Sequence, residues 1–203
     1  MNIKKTANLL INFALKRVAE IFGVIVFLSG ILLMSALLTY SPEDPNFIFP
    51  DNTEIKNILG FQGSVVSDLF FQSIGLISYL FSLTLIISGI NIFRTKEFFL
   101  FIENTFFSIL YILFGSLFFA YYYIDAFTLY INGNGGFIGS YLNQSFFISL
   151  INFNETISFF ILIFIIIFFF LTSVNFKPVN FYNSIKKVIK FFQKEKEINY
   201  TDK

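Results

Sequence analysis

Residues 126–154 read AFTLYINGNGGFIGSYLNQSFFISLINFN, a run without a charged side chain, and its reading decides the fold. A helix needs about 20 predominantly apolar residues to cross a hydrocarbon core of about 30 Å. By length alone this window qualifies as a membrane span. Its contents disqualify it, because Asn132-Gly133-Asn134-Gly135-Gly136 is turn chemistry. The apolar piece that follows, 137–151, reaches only about 22 Å as a helix. It reads as a short interfacial or re-entrant helix.

Four other uncharged runs are free of such turns: 21–42, 69–93, 104–124 and 156–176. Charge then chooses between four spans and five, because basic residues mark cytoplasmic flanks. Lys4, Lys5, Lys16 and Arg17 precede the first run, Arg94 and Lys96 separate the second from the third, and seven lysines follow Phe176. With four spans all of these lie inside, and Lys56 alone is left outside among Glu43, Asp44, Asp51, Glu54, Asp68, Asp125 and Glu155. A fifth span would put the lysine-rich tail outside.

The expected architecture is an all-α integral membrane protein with four transmembrane helices and both termini cytoplasmic. Its parts are a cytoplasmic segment 1–17, a membrane domain 18–176, and residues 177–203 as a basic amphipathic juxtamembrane tail or the start of a linker. The spans fall at about 18–40, 69–93, 101–123 and 156–176, with outer loops 41–68 and 124–155 and an inner loop 94–100. Leu9 to Leu15 after Lys4 and Lys5 imitates a secretory signal, but Asn12 interrupts it, Lys16 and Arg17 follow it, and no small-residue cleavage site appears. The first helix is expected to act as an uncleaved anchor.

Composition agrees and narrows the chemistry. Hydrophobic residues make up 56 % of the 203 and charged residues 13 %, against about 25 % charged in a soluble domain. The 33 phenylalanines exceed what one small core can hide. There is no Cys and no His, which removes disulfides, thiolate nucleophiles, imidazole bases and the common zinc ligands. Without Trp, interfacial anchoring falls to the 10 tyrosines and to Lys and Arg. No cofactor is expected.

The first outer loop opens with Tyr40-Ser41-Pro42-Glu43-Asp44-Pro45 and runs through Asn57, Gly60, Gly63, Ser64, Ser67 and Asp68 into the second span. Gly135-Gly136-Phe137-Ile138-Gly139 stands ahead of the last one. In order and placement these motifs resemble the N-terminal four-helix membrane domain of FtsK/SpoIIIE-type DNA translocases, over roughly residues 15 to 176. Ser64 and Ser67 depart from that family's alanines but remain small. The resemblance implies a membrane-anchoring and assembly domain in cell division and chromosome segregation, at the bacterial inner membrane. It also implies an ATPase motor. No Gly-x-x-x-x-Gly-Lys-Ser/Thr loop occurs in this chain, so the motor would be a separate chain or a downstream segment. The alternative is a stand-alone four-span structural or transport-associated protein.

Candidate residues follow from both readings. Pro42, Asp44, Pro45, Gly60, Gly63, Asp68, Gly135, Gly136 and Gly139 are candidate contacts for other division proteins, since loops on rigid scaffolds often carry function. Their plainer role is a solvated hairpin and a turn; a nucleotide loop lacks its strand and its Lys-Ser/Thr. Glu43 and Asp44 alone are too few oxygens for a cation cage. Gly75, Ser78, Ser82 and Gly89 share one helical face, which in lipid favours close helix packing. Ala19, Gly23 and Gly30 form a second small stripe, and the partner of either is open between this chain and a second copy. Glu103, near the third span, reads as a flank residue at the cytoplasmic interface. Lys186, Lys187, Lys190 and Lys194 oppose Phe181, Tyr182, Ile185, Val188, Ile189 and Phe192, the pattern of a basic amphipathic helix on the inner leaflet, where each basic residue contributes about 1 kcal/mol. The expected partners are membrane lipids, further copies of the chain, and the division proteins and motor named above. Specific nucleic-acid binding is not expected of this chain.

Overall fold

A computed structural model of the chain describes residues 3–45, 54–124, 132–177 and 186. Among them all regular structure is helical: α1 (Ile3–Leu38), α2 (Gly60–Ile74), α3 (Ser78–Thr95), α4 (Phe99–Tyr122), α5 (Gly136–Leu142), α6 (Phe147–Phe153) and α7 (Glu155–Ser173). Among the described residues four stretches are long and apolar enough to cross a membrane: Asn8–Leu38, Gly60–Thr95, Phe99–Tyr122 and Glu155–Ser173. The protein is a multi-pass membrane protein with four spans.

The helices form two packed pairs, α1 with α3 and α4 with α7, joined where α3 meets α4. Burial runs opposite to the habit of a soluble domain. Ser67, Ser78, Ser82, Thr84, Ser88, Asn104, Ser108 and Ser116 are buried, while Ile25, Leu32, Phe106, Phe160 and Phe164 face outward. That follows from the solvent: lipid is as apolar as leucine, so helices associate through small side chains and interhelical hydrogen bonds rather than by hiding Leu and Phe. The larger apolar core lies between α4 and α7, around Tyr111, Leu117, Phe118, Leu162 and Ile166.

Where the helices stop is written locally. α7 starts on Asn154, whose Oδ1 accepts the Ile157 amide at 3.0 Å, with Glu155 favourably placed at the positive end of the helix dipole. It ends on Asn175, left-handed at φ 51°, with the Phe176 amide reaching back to the Leu171 carbonyl, a C-terminal motif that satisfies end carbonyls. α3 also ends on a left-handed residue, Lys96 at φ 62°, whose amide donates to the Ile92 carbonyl.

Four features differ from the charge-based expectation. The helix carrying the second span begins at Gly60, well inside the loop 41–68, and includes Asp68. The Asp68 carboxylate accepts the Tyr40 hydroxyl at 3.2 Å; a charge limits the hydrocarbon segment, not the helix. That same span is interrupted by a single 3₁₀ turn, Gly75–Ile77. The apolar piece 137–151 forms two short helices, because tight amide bonds from Gln144 to Tyr141 and from Ser145 to Leu142 turn the chain between them. α1 is continuous from Ile3, so segment 1–17 belongs largely to the first helix. The lysine-rich tail lies outside the described residues, except for Lys186, which is helical and exposed.

Candidate functional site at the glycine end of the bundle

One end of the bundle gathers nearly every motif residue of the loops 41–68 and 124–155. After α1 the chain turns through Thr39–Pro45. Asp44, 1 % exposed, accepts the Lys56 amide on Oδ1 and the Asn57 amide on Oδ2, each at 2.9 Å. Asn57 in turn donates from Nδ2 to the Ala36 carbonyl at 2.9 Å and accepts the Leu59 amide on Oδ1 at 3.1 Å. Ala36 is in the last turn of α1, where carbonyls lack helical partners, and Leu59 leads into α2. Asp44 and Asn57 thus close the end of one helix and the entry to the next. Ser64 adds a bond from its hydroxyl to the Pro45 carbonyl at 2.8 Å, and the Tyr79 hydroxyl ties α3 to the Leu37 carbonyl at 3.2 Å.

This places Asp44 and Pro45 in the interior, Pro42, Gly60 and Asp68 half-buried, and Gly63 buried beside the Asn57 carboxamide. Among the described residues of the loop Glu43, Glu54 and Lys56 are exposed and charged, and Glu43 with Lys56 forms an ion pair. The hydrogen bond from Lys56 holds the Glu43 carboxyl below the usual carboxylate range, and its counterpart raises the Lys56 ammonium.

A second junction sits beside the first. Gly75 has φ 71° and ψ −150°, a conformation that side chains disfavour, and it ends α2. The turn 132–136 packs directly against it: the Leu76 amide donates to the Asn134 carbonyl at 2.9 Å. A Cβ on Gly136 would lie 2.7 Å from the Ile74 nitrogen, and one on Gly135 2.6 Å from the Ala120 Cβ. Ser116 of α4 donates to the Ile74 carbonyl at 2.9 Å, and Gly139 of α5 lies against the Ser116 backbone. Asn134 is buried and donates from Nδ2 to the Tyr123 carbonyl. Gly75, Gly135, Gly136 and Gly139 therefore join α2, α4 and α5 at one close crossing.

The four small residues proposed as one packing face divide between neighbours. Gly89 meets Gly23 and Phe27 of α1; a Cβ there would lie 2.7 Å from the Gly23 carbonyl oxygen. Gly30 is similarly close to Ile86. Ser78 and Ser82 are buried in α3, with the Ser78 hydroxyl donating to the Gly75 carbonyl, and Gly75 itself belongs to the crossing above.

The opposite end holds residues that sequence reading passed over. Glu20 pairs with Arg17 and, at 2.7 Å, with Lys96 across the α1–α3 seam. Asn104 donates to the Ser88 hydroxyl at 2.8 Å and accepts from Asn175, while Asn91 donates to the Val174 carbonyl at 2.9 Å. This buried knot ties α3, α4 and the end of α7. Its signal was an Asn inside an apolar run, next to the more conspicuous Glu103, which is exposed. Among the described residues no group of three or more acidic side chains could hold a metal ion.

Four spans locked by buried glycine and asparagine junctions define a helical membrane domain. A family model described as the 4TM region of DNA translocase FtsK/SpoIIIE matches residues 15–185, and the chain belongs to that family. It is similar to the DNA translocase FtsK of Rhizobium meliloti (33 % identical over 69 residues), of Caulobacter vibrioides (33 % over 73) and of Pseudomonas putida (35 % over 66). These stretches cover 34 %, 36 % and 32 % of this chain but only 8 %, 9 % and 8 % of those proteins. The chain thus matches a small part of each relative's length, within the membrane region. No solved structure matches it.

Proposed function

We propose that this chain is the membrane-anchoring and assembly domain of an FtsK-like DNA translocase acting in cell division and chromosome segregation. The observation that carries this reading is the family match across all four spans, supported by the buried junctions built from the same residues that first carried the resemblance. It sits in the bacterial inner membrane with both termini and the Glu20–Lys96 end toward the cytoplasm, and with the glycine end outside. The motor lies on a separate chain or in a downstream segment. The outer surface around Glu43 and Lys56 meets other division proteins, and the tail lysines meet the anionic inner leaflet. Self-association uses surfaces other than the α1–α3 face, which the chain fills itself.

A fluorescent fusion expressed in the chain's own cells tests the division reading. Concentration at midcell in dividing cells is expected; an even distribution around the envelope in dividing cells would overturn it.

A further inference from the structure

α1 is one continuous helix from Ile3 to Leu38, and its apolar stretch Asn8–Leu38 runs 31 residues, about 46 Å at 1.5 Å per residue. The hydrocarbon core is about 30 Å thick. Fitting the whole stretch inside it takes a tilt of about 50°, beyond the roughly 0–40° of membrane helices. The charges put the excess at one end. Glu20 pairs with Arg17 and with Lys96, the residue that ends α3, so α3 reaches no further along α1 than this level. From Asn8 to Val18 every residue is exposed, and this arm carries Leu9, Leu10, Ile11, Phe13, Leu15 and Val18. No Gly or Pro lies between Ile3 and Phe22 to kink the helix onto the leaflet. By the charge assignment the arm therefore continues the line of the span, away from lipid.

The spacing of its apolar residues says what covers it. Ile11, Ala14, Val18, Ile21, Ile25 and Leu28 follow one another at steps of three and four, the a and d positions of a heptad series. All six are exposed. Gly23 and Gly30, which meet α3, lie on a different face. Lipid asks only for apolar side chains and imposes no such period, and it does not reach the arm, where the series runs on unbroken. In the arm the polar residues Asn12, Lys16 and Arg17 fall off the a and d positions. We propose that this stripe is a self-association seam, along which α1 packs in parallel against α1 of a second copy, from Ile11 outside the hydrocarbon to Leu28 within it. Identical insertion of every copy makes the pairing parallel. A short helix alone in water is marginal; knobs-into-holes contact with a second arm covers both. The seam gives the assembly role proposed above, on which it rests, a particular surface.

The chain has no cysteine of its own, so single-cysteine variants of the full chain, oxidised with copper phenanthroline in membrane vesicles, test the seam. A disulfide needs Cα atoms within about 7 Å, which a and d positions of paired helices meet and outward positions do not. Ile11→Cys, Ala14→Cys and Val18→Cys are expected to give disulfide-linked dimers about fivefold more readily than Asn12→Cys and Lys16→Cys, although all five positions are exposed in the single chain. Adding Ile11→Asp to Ala14→Cys is expected to lower the dimer yield about fivefold and to leave the thermal midpoint of the chain unchanged, because Ile11 is exposed. Equal yields at all five positions would mean random collision and overturn the seam. No dimer at any of them would mean that lipid or the chain's own tail covers the arm, and would overturn it too. Dimers through cysteines on α4 or α7, with none along α1, would overturn this surface and leave the assembly role standing.

Discussion

At Asp44 a residue chosen from the sequence as a partner contact turns out to hold the backbone. Its two oxygens satisfy the Lys56 and Asn57 amides, and the side chain is almost fully buried. Asp44→Ala is expected to destabilise the domain by about 1–3 kcal/mol, the cost of leaving buried donors unmet. Thermal unfolding in detergent checks this; an unchanged midpoint would contradict the account. Glu43, next in sequence, behaves oppositely because it is exposed. Its carboxyl is held below its ordinary value of 4.5 by the Lys56 hydrogen bond. The pair's contribution is therefore present above that ordinary value and lost as pH falls through the lowered one. An NMR titration is expected to give Glu43 a depressed pKa that returns toward 4.5 in Lys56→Met. The sequence showed that both acids lie in one loop. It did not show which one the chain folds around, since adjacent residues of like charge point to opposite surroundings only once Asn57 is brought back against them.

Two small stripes, one on the first span and one on the second, were visible as helical spacing, and within the chain Gly23 does meet Gly89 while Gly30 lies against Ile86. Their partner was not legible, because a stripe fits a second copy as well as a neighbouring helix. Gly75 shared the spacing but does another job: spacing reports the face of a helix, not the residue whose φ ends it. Gly89→Leu should force α1 and α3 apart and cost about 1–3 kcal/mol by overpacking, seen as a lower melting temperature; Ile90→Leu, at an exposed position, is expected to do nothing measurable. The Ser88–Asn104–Asn175 knot is the least legible element. Its members come from α3, α4 and the turn after α7, and each alone is only a polar residue near a span. Asn104→Leu is expected to cost up to about 1.7 kcal/mol, the upper end for hydrogen bonds between membrane helices. An Asn104→Leu midpoint equal to the parent's would remove the knot from the account.

Over the whole molecule, the four spans were readable because charge and length are properties of segments, whereas the two junctions that fix the bundle depend on contacts between loops. The cytoplasmic segments assigned by charge are short: residues 1–17, the turn about 94–100 and the tail 177–203. Domains with their own core are typically 50 residues or longer. Phosphoryl transfer needs a phosphate cradle, a cationic clamp and a Mg²⁺ ligand held together. The purified chain is accordingly expected to show background ATP hydrolysis with or without DNA, and DNA-stimulated turnover would contradict the anchoring role. The most direct measurement of the central claim, four spans with a cytoplasmic tail, is a set of alkaline phosphatase fusions. Activity is expected after Asn52 and after Asn134, and none after Thr95 or Lys203; an active enzyme after Lys203 would mean an odd number of crossings and contradict the account.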